Sequence, residues 1–299
     1  MKKTNLYFIF PLILIIVQFL NSSCQVARQD SAKPANDKEV SMDLKDLENK
    51  VLQKDWDALD IVDGAKNPTE ALPLLNELFK NKDSEVRLIV LNCFKLINDP
   101  QVTKILISAL EDEDGEIRTT ALQSLQGRAD KTILPDLTKN LANKDEIIRG
   151  EVAILIGNLG DPNSKTPLDE QLRKEKDEEA RRAIRLALAK LGDDKQKEYF
   201  AANLDINNSE IRYQAIQDLH YINDRNLARR LIPALDDLGR ANVISSKNEP
   251  QIRYARVCDA AVSLIDYLWN HPFAFEAHDY KNYSEDEINQ AKEFLKNLK

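Results

Sequence analysis

The chain has 299 residues, a formal net charge of −8 and a 31% share of charged side chains. Glycine occurs only 8 times, under 3% where about 7% is ordinary, while leucine occurs 39 times. These proportions favour helix, because Leu, Glu, Lys and Arg are good helix formers and Gly is not. No GxGxxG and no GxxxxGK(S/T) occurs, which excludes the common nucleotide loops. An acidic body excludes non-specific nucleic-acid binding, and three cysteines without a CxxC exclude a zinc ribbon or a disulfide framework.

Residues 1–24 read MKKTNLYFIFPLILIIVQFLNSSC. Lys2 and Lys3 form a basic head, and Leu6 to Leu20 an apolar run of 15 that Pro11 and Gln18 interrupt. A hydrocarbon core of ~30 Å takes about 20 apolar residues, so this run reads as a secretory signal. Ser22 and Ser23 lead into Cys24, and the segment resembles a bacterial lipoprotein signal, whose cysteine is lipidated and becomes the new N-terminus. Leu20 lies four residues before Cys24 instead of three, and Asn21 takes the usual leucine position, so only a looser lipobox fits. A cleaved secretion signal and an uncleaved anchor are the alternatives. The lipid reading makes Cys24 the lipidation site, attaches the protein to a membrane of the bacterial cell envelope, and leaves a body at −10 once Lys2 and Lys3 are removed with the signal. Residues 24–43 lack aromatic side chains and are expected to be a flexible tether.

From residue 44 to 299 one unit is copied along the chain. Aligning on an arginine gives Arg87, Arg118, Arg149, Arg181, Arg212 and Arg253, at steps of 31, 31, 32, 31 and 41. Twelve residues after the first five stand Asp99, Asp130, Asp161, Asp193 and Asp224. Four before the arginines stand Asp83, Asp114, Asp145, Asp177, Asn208 and Glu249. Apolar residues one before, three after and seven after each arginine make one face of a helix, for example Val86, Val90 and Phe94. The acids sit where N-caps belong, and Pro100 and Pro162 follow at first turns. Each unit is then a helix pair that buries its apolar faces only by stacking.

This pattern resembles HEAT repeats, in the short form also found in phycobilin-lyase-like proteins. Prolines fourteen residues before the arginine, at Pro73, Pro135 and Pro167, and Pro233 at twenty before Arg253 in the unit with the long step, belong to the same likeness. The resemblance implies an all-α solenoid of about six helical hairpins (about 68–98, 99–129, 130–160, 161–192, 193–223 and 224–268) with capping helices, the C-terminal cap being 269–299. It also implies a hydrogen-bonded ladder between repeats, assigned to Asp83, Asp114, Asp145 and Asp177 with Arg87, Arg118, Arg149 and Arg181. The 41-residue step places an extra loop at about 236–250, and Ser284 with Glu287 spells a capping box.

Chemistry finds little support in the residues. The histidines are His220, His271 and His278, and no His–Glu dipeptide of the kind used by iron hydroxylases on this scaffold occurs. No acid pair stands at a motif spacing, so no catalytic residue, metal site or cofactor is expected. Cys93 and Cys258 lie five repeats apart and are too distant to pair. In this family the second helices line the concave side. Along their stripe Arg182, Tyr213, Gln217, His220 and Tyr254 stand out as a candidate surface for a protein partner, since Tyr and Arg are common anchors. Seven aromatic residues between 267 and 294 either seal the C-terminal cap or extend that surface. The expectation is a lipid-anchored scaffold that binds a protein and no nucleic acid. The alternative is a cell-envelope enzyme or metal protein using the His271–His278 segment.

Overall fold

The computed structural model describes residues 42–244, 253–278 and 281–298. These residues lie in the compact unit Met42–Lys299. They form helix pairs in chain order. A cap comes first, α1 (Leu44–Leu52) and α2 (Ala58–Asp63). Then follow α3 (Leu72–Leu78) with α4 (Ser84–Leu96), α5 (Pro100–Ala109) with α6 (Gly115–Gln126), and α7 (Leu134–Asn140) with α8 (Glu146–Leu159). After them come α9 (Lys165–Lys174) with α10 (Glu178–Lys190), and α11 (Asp194–Ala201) with α12 (Ser209–Ile222). A 3-10 helix over Arg225–Asp236, α13 (Val257–Trp269) and α14 (Glu285–Asn297) close the unit.

The regular aspartates explain where these helices begin. Each places a carboxylate oxygen on an orphan backbone N–H of the first turn. Asp83 accepts from Glu85 N, Asp114 from Glu116 N, Asp145 from Ile147 N and Asp177 from Ala180 N, all at 2.8–3.0 Å. Asp99, Asp130, Asp161 and Asp193 do the same one helix later, and Asn208 caps α12. At the other end of the unit, Ser284 and Glu287 exchange reciprocal capping bonds at the start of α14.

The second helices α4, α6, α8, α10, α12 and α13 each pack on the next. Two apolar clusters run through the stack, one from Leu47 to Leu188 and one from Leu186 to Leu295, and they meet at α10. Cys93 and Cys258 are buried and unpaired, and burial pushes their thiols up to about 12 and about 11. They serve as small apolar fillers.

The ladder exists, with different acids from those expected. Arg87 donates through Nε and Nη2 to Asp112 at 2.9 and 2.8 Å, and back to the carbonyls of Asn81 and Lys82. Arg118 donates to Asp145, and Arg149 grips Glu175 at 2.7 and 2.8 Å. Asp112 and Glu175 lie six residues before the next repeat's arginine, not four. In the repeat of Arg149 that place is held by Asn143, and Arg118 turns to Asp145 instead. Arg181 has Ile206 at the corresponding place ahead of it; it donates to Glu175 O and lies 3.8 Å from Glu178. Of the four expected carboxylates only Asp145 takes another repeat's arginine. Asp83 pairs with Lys54 of the cap at 2.7 Å, Asp114 accepts from Ser84, and Asp177 caps its own helix. Where an acid stands two residues before the capping aspartate, as Asp112 and Glu175 do, it takes the neighbouring arginine. Where Asn143 stands there, Asp145 caps its helix through Oδ1 and takes Arg118 through Oδ2.

The sixth unit departs most from the repeat. Its first helix is the 3-10 segment Arg225–Asp236 with Pro233 inside it. At the expected loop two strands pair, β1 (Arg240–Ile244) antiparallel to β2 (Arg253–Arg256), with Val243 opposite Tyr254. β2 lies beyond the expected end at 250, and residues 245–250 of that loop lie outside the described residues. Val, Ile and Tyr suit such strands. Arg253 and Tyr254 are therefore on a strand, and α13 begins only at Val257. Its first N–H groups are satisfied by the chain entering β1, Val257 N by Gly239 O and Cys258 N by Asp237 O.

Candidate interaction face

The second-helix face differs between the two halves of the stack. On α4 and α6 its residues are Leu88, Asn92 and Lys95, then Thr119, Gln123 and Gln126, all half-buried or exposed. On α8 and α10 the stripe is buried at Gly150, Gly157, Leu186 and Ala189. Small residues let these helices close on each other: an added Cβ at Gly157 would lie 2.9 Å from Ala187 Cα.

Over that closed seam lies a cluster built from α8, α10 and α12. Tyr221 donates its phenol to Ile154 O at 3.1 Å, reaching from α12 past α10 to α8. Lys190 donates to Tyr221 O at 2.6 Å and sits 4.6 Å from the centre of its ring. Burial raises the Tyr221 phenol, and the nearby Glu151 carboxylate adds to the effect. Glu151 is itself buried, and desolvation pushes its carboxyl up to about 7. Asp218, 2% exposed, is pushed up to about 6 by burial against the opposing pull of Arg182 and Gln214.

These contacts revise the candidate residues. Arg182 pairs with Asp218 across α10 and α12, so its charge braces two repeats. Tyr213 is half-buried and packs against the second apolar cluster. Gln217 and His220 are half-buried, and the His220 ring meets Tyr267 edge-on at 4.4 Å. Tyr267 on α13 is 52% exposed and extends this patch. Tyr254 does not share the helical position of Tyr213, because its backbone is in β2. Cys24 lies outside the described residues.

Glu151, Asp218 and Tyr221 do not stand out as site residues in the chain's repeat pattern, although Asp218 leaves a signal there. Six residues after the arginine the repeats read Cys93, Ser124, Leu155, Ala187 and then Asp218. An acid in a column of small and apolar residues marks a buried charge that needs a partner.

The profile of the HEAT-repeat family matches residues 57–126, 103–189 and 134–220, together 57–220 and more than half of the chain. The chain is a HEAT-repeat protein. It is 43% identical over 70 residues to the epoxyqueuosine reductase of Bacillus subtilis (strain 168), a stretch that is 23% of this chain and 18% of the reductase. Among solved structures it is similar to the complex of CpcE and CpcF of phycocyanin lyase from Nostoc sp. PCC7120. That likeness has 14% identity and a TM-score of 0.44, and covers 89% of this chain and 99% of the other.

The C-terminal aromatics of this HEAT-repeat protein join into one ring network. Trp269 and Phe273 both meet Phe294 edge-on, Phe273 stacks on Phe275 at 4.8 Å, and Phe275 leans on Tyr283. The network packs α14 onto the stack, the role of a cap. A cleft of about 650 Å³ remains between Pro272–Ala274 and one side of α14. Among the described residues no group of three or more His, Cys, Asp or Glu side chains is placed to hold a metal ion. No helix among them is long and apolar enough to cross a membrane.

Proposed function

We propose that this protein is an exported, lipid-anchored HEAT-repeat scaffold that holds a protein partner and performs no chemistry of its own. The observation that carries the reading is the patch on α12 and α13. Tyr213, Gln217 and His220 follow one stripe of α12, Tyr267 adjoins them, and the Arg182–Asp218 pair and Tyr221 hold the backbone beneath them. Rigid, part-exposed tyrosines are efficient anchors, because they offer large contact area with few rotamers to freeze. The anchor follows from the basic head, the apolar run and Cys24. Stable attachment takes more than one acyl chain, at ~0.8 kcal/mol per buried CH₂, which a lipoprotein's several chains supply.

Crosslinking and pull-down from intact envelopes tests the scaffold. Tyr267→Ala, at the more exposed ring, should lower capture of the partner with little change in melting temperature. Tyr213→Ala should lower it further at a cost in stability, because that ring also packs on the apolar cluster. Unchanged capture removes the patch from the reading. Radiolabelled palmitate should enter the wild type and not Cys24→Ala, and equal uptake removes the anchor. One observation favours a second reading, an envelope enzyme or metal protein: His271 Nδ1 lies 2.7 Å from the buried Asp266. A carboxylate behind an imidazole is the arrangement that orients metal-binding and proton-transferring histidines. Stoichiometric metal in the purified protein would favour it.

A further inference from the structure

Trp56 stands 31 residues before Arg87, one repeat step back, and so holds the place of the ladder arginine in the N-terminal cap, in the turn between α1 and α2. It is 46% exposed. Trp269, the other tryptophan, is covered by Phe294 and Arg225. Trp56 has no ring stacking and no cation over its face among the described residues. Nearly half of the indole is thus left to solvent, an apolar surface that a partner could cover.

The indole borders a cleft of about 310 Å³ whose other walls are the first turns of α4 and α6. Leu88 and Ile117 give it apolar sides, and Glu85, Asp114 and Glu116 bring three carboxylates to it, with no cation in the lining. Two of those carboxylates have other work. Glu85 is shared with Lys54 at 3.1 Å, and Asp114 caps α6 through Oδ1. Glu116 is exposed, and its carboxylate has no hydrogen bond or ion pair among the described residues.

We propose that this cleft seats a lysine or arginine side chain of a protein partner. The alkyl stem would lie along Leu88 and Ile117, as long cationic side chains do on apolar surface. The charged head would sit between the indole face, the best aromatic partner for a cation, and the Glu116 carboxylate. The net charge of −8 draws a basic segment towards the molecule, and the cleft chooses where it lands. The site lies at the opposite end of the stack from the tyrosine patch and stands independently of it.

The full-length protein carrying Trp269→Phe has Trp56 as its sole tryptophan, so its fluorescence reports on the cleft directly. The probe is a heptapeptide alternating leucine with lysine and arginine, compared with the same peptide bearing glutamate. The basic peptide should shift Trp56 emission saturably and the acidic one should not. Glu116→Lys should weaken the basic peptide about tenfold or more, whereas Glu179→Lys, the same charge change at an exposed site two repeats away, should weaken it less than about twofold. Calorimetry on Trp56→Ala, at an unchanged melting temperature, should show the same loss as Glu116→Lys. The proposal is overturned by a silent Trp56, by equal losses in the two lysine variants, by undiminished binding to Trp56→Ala, or by calcium ions reproducing the peptide's response.

Discussion

Arg149 shows how one side chain ties two repeats. Its guanidinium holds both oxygens of Glu175 and the carbonyls of Asn143 and Lys144. The Glu175 side chain is only 2% exposed, and Arg149 holds its carboxyl down at about 2. Removing the arginine leaves a nearly dry carboxylate without its counter-ion, held only by Gln171 and two backbone N–H groups, so Arg149→Ala should cost about 2–4 kcal/mol. Lys144→Ala, at an exposed position, should cost under about 0.5 kcal/mol. Urea midpoints measure both, and equal midpoints would remove the ladder from the stability argument. Because the Glu175 pKa is depressed, its contribution is present above about 4.5 and lost as pH falls towards about 2. Arg149 could be picked from the sequence by its register. Glu175 could not, because its place in the loop becomes meaningful only once the next arginine lies beside it.

At the scale of the element, α8 and α10 are set by two missing side chains. A Cβ at Gly150 would meet Ala183 Cβ at 3.3 Å, and one at Gly157 would meet Tyr221 Oη at 2.8 Å and Ala187 Cα at 2.9 Å. Alanine favours helix over glycine by about 1 kcal/mol, but here the obstacle includes backbone, which cannot swing away. Gly157→Ala should therefore lower stability by a net 1–2 kcal/mol or so. Gly127→Ala, with nothing within 4 Å and negative φ, should be neutral or slightly stabilising. Thermal unfolding compares the two. A Gly157→Ala protein as stable as Gly127→Ala would mean that the helices do not need this approach. Tyr221→Phe should recover part of the Gly157→Ala loss, since it removes one of the atoms in the way.

For the whole molecule the balance of buried charge matters as much as the repeat. Glu151 lies buried on α8 near the Tyr221 phenol of α12, and its raised pKa works opposite to that of Glu175. With the folded value near 7 and the ordinary value at 4.5, the folded state binds the extra proton. The stability so gained is complete below about 4.5 and lost as pH rises through about 7. Glu151→Gln should thus be more stable than wild type at pH 8, by up to about 3 kcal/mol, with the gap closing below about pH 4.5. Unfolding curves at the two pH values decide it. A constant gap would mean that Glu151 is not titrating in the fold.

The helices, their caps and the repeat were written in the sequence because they depend on neighbours in the chain. An aspartate caps the backbone two or three residues on, and an apolar face recurs every turn. Those local rules place Asp83, Asp114, Asp145 and Asp177 at helix starts and Val86, Val90 and Phe94 inside. What crosses between repeats was decided by the tertiary structure alone: Asp112 and Glu175 as the ladder's acids, Tyr221 bridging to Ile154, Asp218 beneath Arg182. The partners stand 25 to 67 residues apart. The same holds for β1 (Arg240–Ile244) and β2 (Arg253–Arg256), strands that exist only as each other's partners. Trp56 marks the boundary of both accounts. Its register was legible as the place of an arginine, but that it stays bare beside three carboxylates follows from how the first turns of α4 and α6 come together around it.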